Sequence, residues 1–411
     1  MKYLNRHLEK EIREIVKQAK VVLILGARQV GKSTLIKYLF PGYRIIEFDP
    51  VTDLMGERED PVRFLDNFPS PLILDEIQYV PKLLSAIKRK VDGSDSPGQY
   101  ILTGSQNLML LKNVSETLAG RVMILSLYPF SLRELTGDET IPDWFRLMLK
   151  DDFTSLIQTD NIKKPSITLY RTLWRGMMPG VFELDDKWVH RYMQSYNQTY
   201  IQRDVRVLSD LNSAPDFDRF FRLMASLSAH EINYSQLGRE IGITPKTAKA
   251  WLSLLVQTYQ WRELAPWHGN TIKRISGKTK GILADTGLLC YLHRISNWEI
   301  LGGHPLLGRI FETWVLNQIY NYCEYLNYNI SLYHWRTAGG AEVDGIIYLN
   351  GKLFPVEVKA SSRLCKHDTR GIRAFRDTYG REATSIGIIF YAGDTCYKIS
   401  EDAIAVPWFY L

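Results

Sequence analysis

An aliphatic run, Val21-Val-Leu-Ile-Leu25, leads directly into Gly26-Ala-Arg-Gln-Val-Gly31-Lys32-Ser33. Few segments constrain a fold more tightly. The run has the length and branching of a buried strand, and Lys32 to Phe40 carries helical spacing. Strand, glycine-rich turn and helix in that order give G-x-x-x-x-G-K-[ST] the context it requires. The glycines let the backbone curl until its N–H groups point inward, where they can hold phosphate oxygens. The start of the helix adds its positive dipole end. Gly26, Ala27, Arg28, Gln29, Val30, Gly31, Lys32, Ser33 and Thr34 are therefore candidate nucleotide-binding residues. Lys32 is read as reaching the β/γ-phosphates and Ser33 as a Mg2+ ligand, so ATP and Mg2+ are the expected cofactors.

Pro71-Leu-Ile-Leu-Asp75-Glu76 supplies a second half. An aliphatic strand ending in Asp75 sets a carboxylate at the edge of the sheet, where it can hold Mg2+. Glu76, one residue on, can polarise an attacking water. Asp-Glu after a strand is a weak signal alone, but it gains weight downstream of Lys32 among alternating strands and helices. Thr103 and Ser105, at the end of Tyr100-Ile-Leu-Thr-Gly-Ser105, are candidate γ-phosphate sensors, with a plain turn as the alternative. Arg121 is a candidate arginine finger offered to a neighbouring subunit, which would require a homo-oligomer. The alternative is a structural salt bridge. Arg203, beside Asp204, reads more simply as a self-satisfied pair. No G-x-G-x-x-G follows the first strand, which disfavours a dinucleotide dehydrogenase.

At 411 residues the chain exceeds one ordinary domain. Its 45% hydrophobic and 23% charged residues exclude wholesale disorder. Strands are expected at Val21–Leu25, Arg44–Phe48, Leu72–Leu74, Gln99–Leu102 and Arg121–Leu127. Helices are expected between them at Lys32–Phe40, Pro61–Phe68 and Lys82–Val91. Such alternation predicts an α/β core, a parallel sheet covered on both faces. The expected divisions are residues 1–133 for this core, 134–229 for a helical segment, 230–285 for a helix-turn-helix with a wing, and 286–411 for a final helix-and-strand domain. Leu4, Leu8, Ile12 and Val16 recur at helical spacing, so the first twenty residues read as an amphipathic helix rather than a signal peptide. No apolar run is long enough for a membrane span, and a cytoplasmic location is expected. Cys290, Cys323, Cys365 and Cys396 are too far apart for a zinc site or a disulfide framework, and read as free buried thiols.

The net charge is +6, but its distribution is uneven. From Glu231 to Lys280 eight Lys/Arg stand against three acids. Within this segment Leu237 and Ile241 share a helix face, Gly242 permits a sharp turn, Thr244 is an N-cap, and Pro245 sits at the first helical position. That is a helix-turn-helix, with Arg262–Lys280 as a basic hairpin or wing. Lys246, Lys249, Lys273 and Arg274 are the candidate DNA contacts. A spacer that only packs domains together is the alternative.

Asn350-Gly351 is a strong two-residue hairpin signal. It pairs Asp344 with Glu357 and Glu342 with Lys359 on one face, unless Pro355 shifts the register. Opposed carboxylates repel unless a cation lies between them. Asp344, Glu357 and Lys359, with Glu312 as a third acid, thus form a candidate Mg2+-dependent phosphodiesterase site. Asp344→Asn is then expected to relieve repulsion and stabilise the metal-free hairpin. The alternative is a salt-bridged hairpin in which Lys359 neutralises the acids.

Taken together, Gly26–Thr34, Leu72–Gln78, Leu102–Ser105, Leu118–Arg121, Tyr128–Ser131, Tyr200–Val205, Ala284–Leu288, Glu342–Asp344 and Val356–Lys359 resemble a bacterial and archaeal family. Its members are AAA-type ATP-binding proteins ending in a domain of unknown function with a restriction-endonuclease-like core. The resemblance spans almost the whole chain. It implies an AAA+ P-loop sheet with the ATP site at Gly26–Thr34, a helical lid, a winged-helix module and a distal nuclease-like α/β domain. Gln106 and Asn107 depart from the small residues it implies, and Met177-Met178-Pro179 from its glycine-rich form. The implied function is an ATPase whose nucleotide cycle controls a nuclease-like domain acting on nucleic acid. The alternative is an ATP-dependent regulatory switch whose distal domain is inactive and binds a partner.

Overall fold

The computed structural model describes residues 3–49, 56–105, 114, 116–138, 140, 142–150, 152, 154–157, 164–200, 214–326 and 329–411. Its contacts divide the chain into two compact units. One comprises residues 2–129 with 257–259, and the other residues 130–256 with 260–411.

The first unit is an α/β layer structure. Its five strands are β1 (Val21–Leu25), β2 (Arg44–Glu47), β3 (Leu72–Asp75), β4 (Tyr100–Gly104) and β5 (Val122–Ser126), each within two residues of its expected bounds. All pair in parallel, in the order β2-β3-β4-β1-β5. Every residue of β1, β3 and β4 is buried, as befits strands covered on both faces. The crossovers run through helices Lys32–Leu39, Pro61–Asn67 and Leu83–Asp92. The amino-terminal helix is shorter than its periodicity suggests, Glu9–Val16, and buries Ile12 and Val16.

The second unit begins with helices, including Leu169–Arg175, Asp186–Thr199 and Ala214–Ser226. A helix-turn-helix follows, Tyr234–Ile241 and Pro245–Gln257, turning at Gly242 with φ +81°. Thr244 Oγ1 accepts from Thr247 N at 3.0 Å, the expected N-cap contact. A small antiparallel sheet orders β6 (His230–Glu231), β8 (Lys280–Leu283) and β7 (Trp261–Leu264). The expected simple hairpin is not what connects β7 to β8, because helix Thr271–Ser276 lies between them. Asn270 caps that helix by accepting from Ile272 N and Lys273 N.

Helix Leu307–Tyr325 then precedes a six-stranded mixed sheet. Its strands are β9 (Ser331–Arg336), β10 (Glu342–Leu349), β11 (Lys352–Lys359), β12 (Gly387–Tyr391), β13 (Tyr397–Ser400) and β14 (Ala403–Pro407). They lie in the order β13-β14-β12-β11-β10-β9, with helix Arg370–Tyr379 crossing from β11 to the parallel β12. Asn350 (φ +50°) and Gly351 (φ +83°) make the two-residue turn joining β10 to β11. Pro355 does not shift the register, since Gly345 pairs with Val356 and Ile347 with Phe354 across it. A bulge occurs on the other side of β10, between Val343 and Ile346 opposite β9. Cys290 and Cys323 are buried as expected, but Cys365 is exposed and Cys396 only half-buried. Among the described residues no helix is long and apolar enough to cross a membrane.

Candidate functional site

The phosphate loop leaves strand β1, which lies between β4 and β5, at Gly26 and returns as a helix at Lys32. Gly26 has φ +151° and Gly31 +94°, conformations that L side chains rarely adopt. A Cβ at Gly26 would also lie 2.2 Å from the Leu127 carbonyl oxygen. Lys32 is buried, and its Nζ donates to the carbonyls of Gly26 and Ala27, both at 2.9 Å. Arg28 Nη2 donates to Tyr79 Oη at 2.7 Å, while Gln29 is exposed at φ +61°. Ser33 is half-buried and Thr34 exposed. Arg6, which the motif search passed over, is 4% exposed. Its guanidinium donates to Val30 O at 2.9 Å and Tyr128 O at 2.6 Å, tying the loop to the chain after β5. No local pattern marks such a residue, because its partners lie 24 and 122 positions away.

Asp75 ends β3 and is 1% exposed. Thr103, at the neighbouring position on β4, donates its hydroxyl to Asp75 Oδ1 and accepts from Glu76 N at 3.0 Å. Glu76 holds the left-handed conformation, φ +58°, which costs energy for a residue with a Cβ. Its Oε2 accepts from Gln78 Nε2 and from Ser105 Oγ, the latter at 3.1 Å. Gln78 Nε2 also donates to Ser105 Oγ at 3.0 Å. Burial works to raise the Glu76 pKa, but Lys32, Gln78, Arg28 and Ser105 outweigh it, and the net shift is downward. Thr103 and Ser105, expected as phosphate sensors, hydrogen-bond to the two acids. Gln78, the last residue of the Leu72–Gln78 motif, joins them. Arg121, the expected finger, forms the alternative salt bridge with Asp92, with Nη2 to Oδ2 at 3.1 Å. Gln106, Asn107 and Arg203 lie outside the described residues.

The loop and strand end fit Mg2+-ATP by their chemistry. Two glycines are fixed in phosphate-cradle geometry, one ammonium is held among the loop's own carbonyls, and the Ser33 hydroxyl and Asp75 carboxylate are hard oxygen donors.

The carboxyl-terminal carboxylates are arranged differently from expectation. Lys280, at the start of β8, places its Nζ against Glu312 Oε1 and 3.3 Å from Asp344 Oδ1. Asp344 Oδ2 accepts from Val358 N at 2.9 Å, and Lys359 Nζ lies 3.3 Å from Glu357 Oε2. Glu342 pairs not with Lys359 but with Arg336, at 3.6 Å. Burial opposes ionisation of Asp344, yet Lys280, Lys359 and hydrogen bonds from Glu357 and Val358 hold its pKa down at about 2. Burial and the Asp344 charge push Glu312 up to about 8 and raise Glu357 well above the usual carboxylate range. Asp344 and Glu357 each lie against a lysine, Lys280 and Lys359 respectively, which offsets the expected repulsion between them. Among the described residues no group of three or more His, Cys, Asp or Glu side chains is placed to hold a metal ion in this arrangement.

Of the expected DNA contacts, Lys246, Lys249 and Lys273 are exposed. Arg274 is not available in the same way. Its guanidinium stacks 3.8 Å from the Trp267 ring centroid, and its Nε donates to His268 O. Two motifs that carried no role in the sequence also meet. Asp285, of Ala284–Leu288, is buried and accepts from Met177 N at 2.7 Å and from Leu288 N at 2.9 Å. Gly176 leaves room for it, since a Cβ there would lie 2.4 Å from Asp285 Oδ1.

The model of an AAA domain matches residues 18–136. Two models of domains of unknown function, DUF8612 and DUF4143, match residues 167–299 and 307–411. Uncharacterised proteins of Mycobacterium tuberculosis and Mycobacterium bovis are each 27% identical over 405 residues, covering 98% of this chain and 83% of theirs. Among solved structures, a Walker-type ATPase of Pyrococcus abyssi is similar at 17% identity, over 71% of this chain and 96% of that one, with a TM-score of 0.44. A Thermotoga maritima RuvB variant follows at 15% identity, over 63% and 90%, with a TM-score of 0.33. The parallel sheet and the phosphate loop both lie within residues 18–136, the stretch that is similar to an AAA domain.

Proposed function

We propose that this protein is a Mg2+-dependent ATP hydrolase working as a molecular switch. The observation that carries this reading is Glu76. Its carboxylate is fixed by Gln78 and Ser105 and held ionised beside the charge of Lys32, the state a water-orienting base requires. Gly26–Thr34 bind the phosphates, Lys32 neutralises them, and Ser33 and Asp75 hold Mg2+. When bound, that ion draws charge from the β- and γ-phosphate oxygens. Thr103 fixes Asp75 and the Glu76 backbone together, so the two acids keep their separate tasks.

Lys32→Ala tests the binding half. It removes a charge-assisted donor to the phosphates, so ATP affinity should fall about 10- to 100-fold. Isothermal titration with ATP measures it, and unchanged affinity would end the assignment of this loop.

What the switch controls is the second half of the proposal. The helix-turn-helix reads as a winged-helix module whose exposed Lys246, Lys249 and Lys273 meet nucleic-acid phosphates. Reversing these three lysines to Glu should abolish retention of duplex DNA and flatten its salt dependence, leaving ATP affinity intact. Retention unchanged by the reversals would assign the module to domain packing instead. For the carboxyl-terminal domain, the Lys280 contacts favour a nuclease-like fold used for regulation or partner binding over an active Mg2+ nuclease.

A further inference from the structure

Lys280 belongs by sequence to the basic segment, and its charge would be counted there as phosphate-facing. The structure turns it the other way. Its Nζ reaches three oxygens: Glu312 Oε1, Asp344 Oδ1 at 3.3 Å and the Asp344 carbonyl at 3.5 Å. Two carboxylates and a main-chain carbonyl, drawn from a helix and a strand, are the hard donors a divalent cation selects. Here an ammonium sits among them. The side chains involved are 10–16% exposed, so solvent screens the cluster poorly.

The surroundings engage the neighbouring acceptors. A cavity of about 400 Å3 opens over the cluster, where Arg309 and Arg336 are matched by Glu231 and Glu342, so its lining outside the cluster brings no surplus of either charge. Asp344 Oδ2 is engaged by the Val358 N–H, and Glu357 is paired with Lys359. A divalent ion entering this cluster would have to expel Lys280 into a poorly screened site or accept it as a close neighbour. Both cost more than surface ion pairs return. A lysine is well suited to the task, because its ammonium is a compact point charge that can accept several oxygens around it.

We propose that Lys280 is the resident cation of the Glu312–Asp344 cluster and keeps divalent ions out of it. The Glu312–Asp344 cluster is consequently metal-blind in this arrangement. The inference goes beyond the ATP reading and does not depend on it, since the cluster and the phosphate loop share no residue.

The test uses the full-length chain without nucleotide and Mn2+ as the probe, with bound ion counted by electron paramagnetic resonance. Wild type should show no Mn2+ binding that depends on Asp344. Lys280→Met keeps the aliphatic stem and removes the charge. It should gain an Asp344-dependent Mn2+ site, at least about tenfold tighter than any Mn2+ uptake by wild type at this cluster, because a like charge a few ångströms away is strongly opposing even at a protein's effective dielectric. Adding Asp344→Asn to that variant should erase the gain. Lys280→Gln serves if the methionine variant fails to fold by circular dichroism. Two results would overturn the proposal: wild-type Mn2+ binding lost on Asp344→Asn, or folded Lys280 variants that gain none. Because nucleotide is absent, either outcome leaves the ATP assignments untouched.

Discussion

Glu76→Gln should lower ATP turnover by about 10²- to 10⁴-fold while ATP still binds. The substitution keeps the shape of the side chain, so the contacts from Gln78 and Ser105 lose charge assistance rather than their place. What disappears is the carboxylate that orients and deprotonates water. The left-handed backbone at Glu76 is retained, since Gln adopts it at the same cost. Single-turnover hydrolysis with labelled ATP, beside a binding isotherm, separates the two effects. Equal turnover in wild type and variant would remove Glu76 from the mechanism.

Asp344→Asn should destabilise the carboxyl-terminal sheet by about 3 kcal/mol, the low end for removing one partner of a buried ion pair. The sign is the reverse of what the opposed carboxylates suggest in sequence. Asp344 balances Lys280 and also accepts the Val358 N–H, and only Glu312 remains for Lys280 once it is gone. The depressed Asp344 pKa says the same thing through linkage. Its contribution is present above the unfolded value, about 3.9, and is lost as pH falls toward about 2. Hydrogen exchange across Glu342–Leu349 and Lys352–Lys359 reports this locally, without assuming that the whole chain unfolds in one step. Slower exchange in the variant would mean that carboxylate repulsion outweighs the Lys280 pairs.

Much of the architecture was legible from local pattern. The five parallel strands and their helices announce themselves because strand burial and helix periodicity are written in neighbouring residues. The phosphate loop is equally local, since its glycines, Lys32 and Ser33 serve one turn. Asn350-Gly351 set the β10–β11 register, because a two-residue turn leaves the flanking strands no other pairing.

The sites divide along the same physical line. Sequence by itself determined which residue types lie at the ends of β1 and β3, and therefore that a nucleotide chemistry is available there. Only the tertiary structure decided how those groups are used. Thr103 and Ser105 read as sensors but bind the two acids, and Arg6 reaches the loop from a segment with no motif. Lys280 is the clearest case. Its partners lie 32 and 64 positions along the chain, beyond any local spacing rule. Counted by composition, it is one of eight cations in a basic segment; placed by the fold, it is a largely shielded counter-ion. Electrostatic roles depend on distance and burial together, and both are set by packing between segments that sequence order keeps apart.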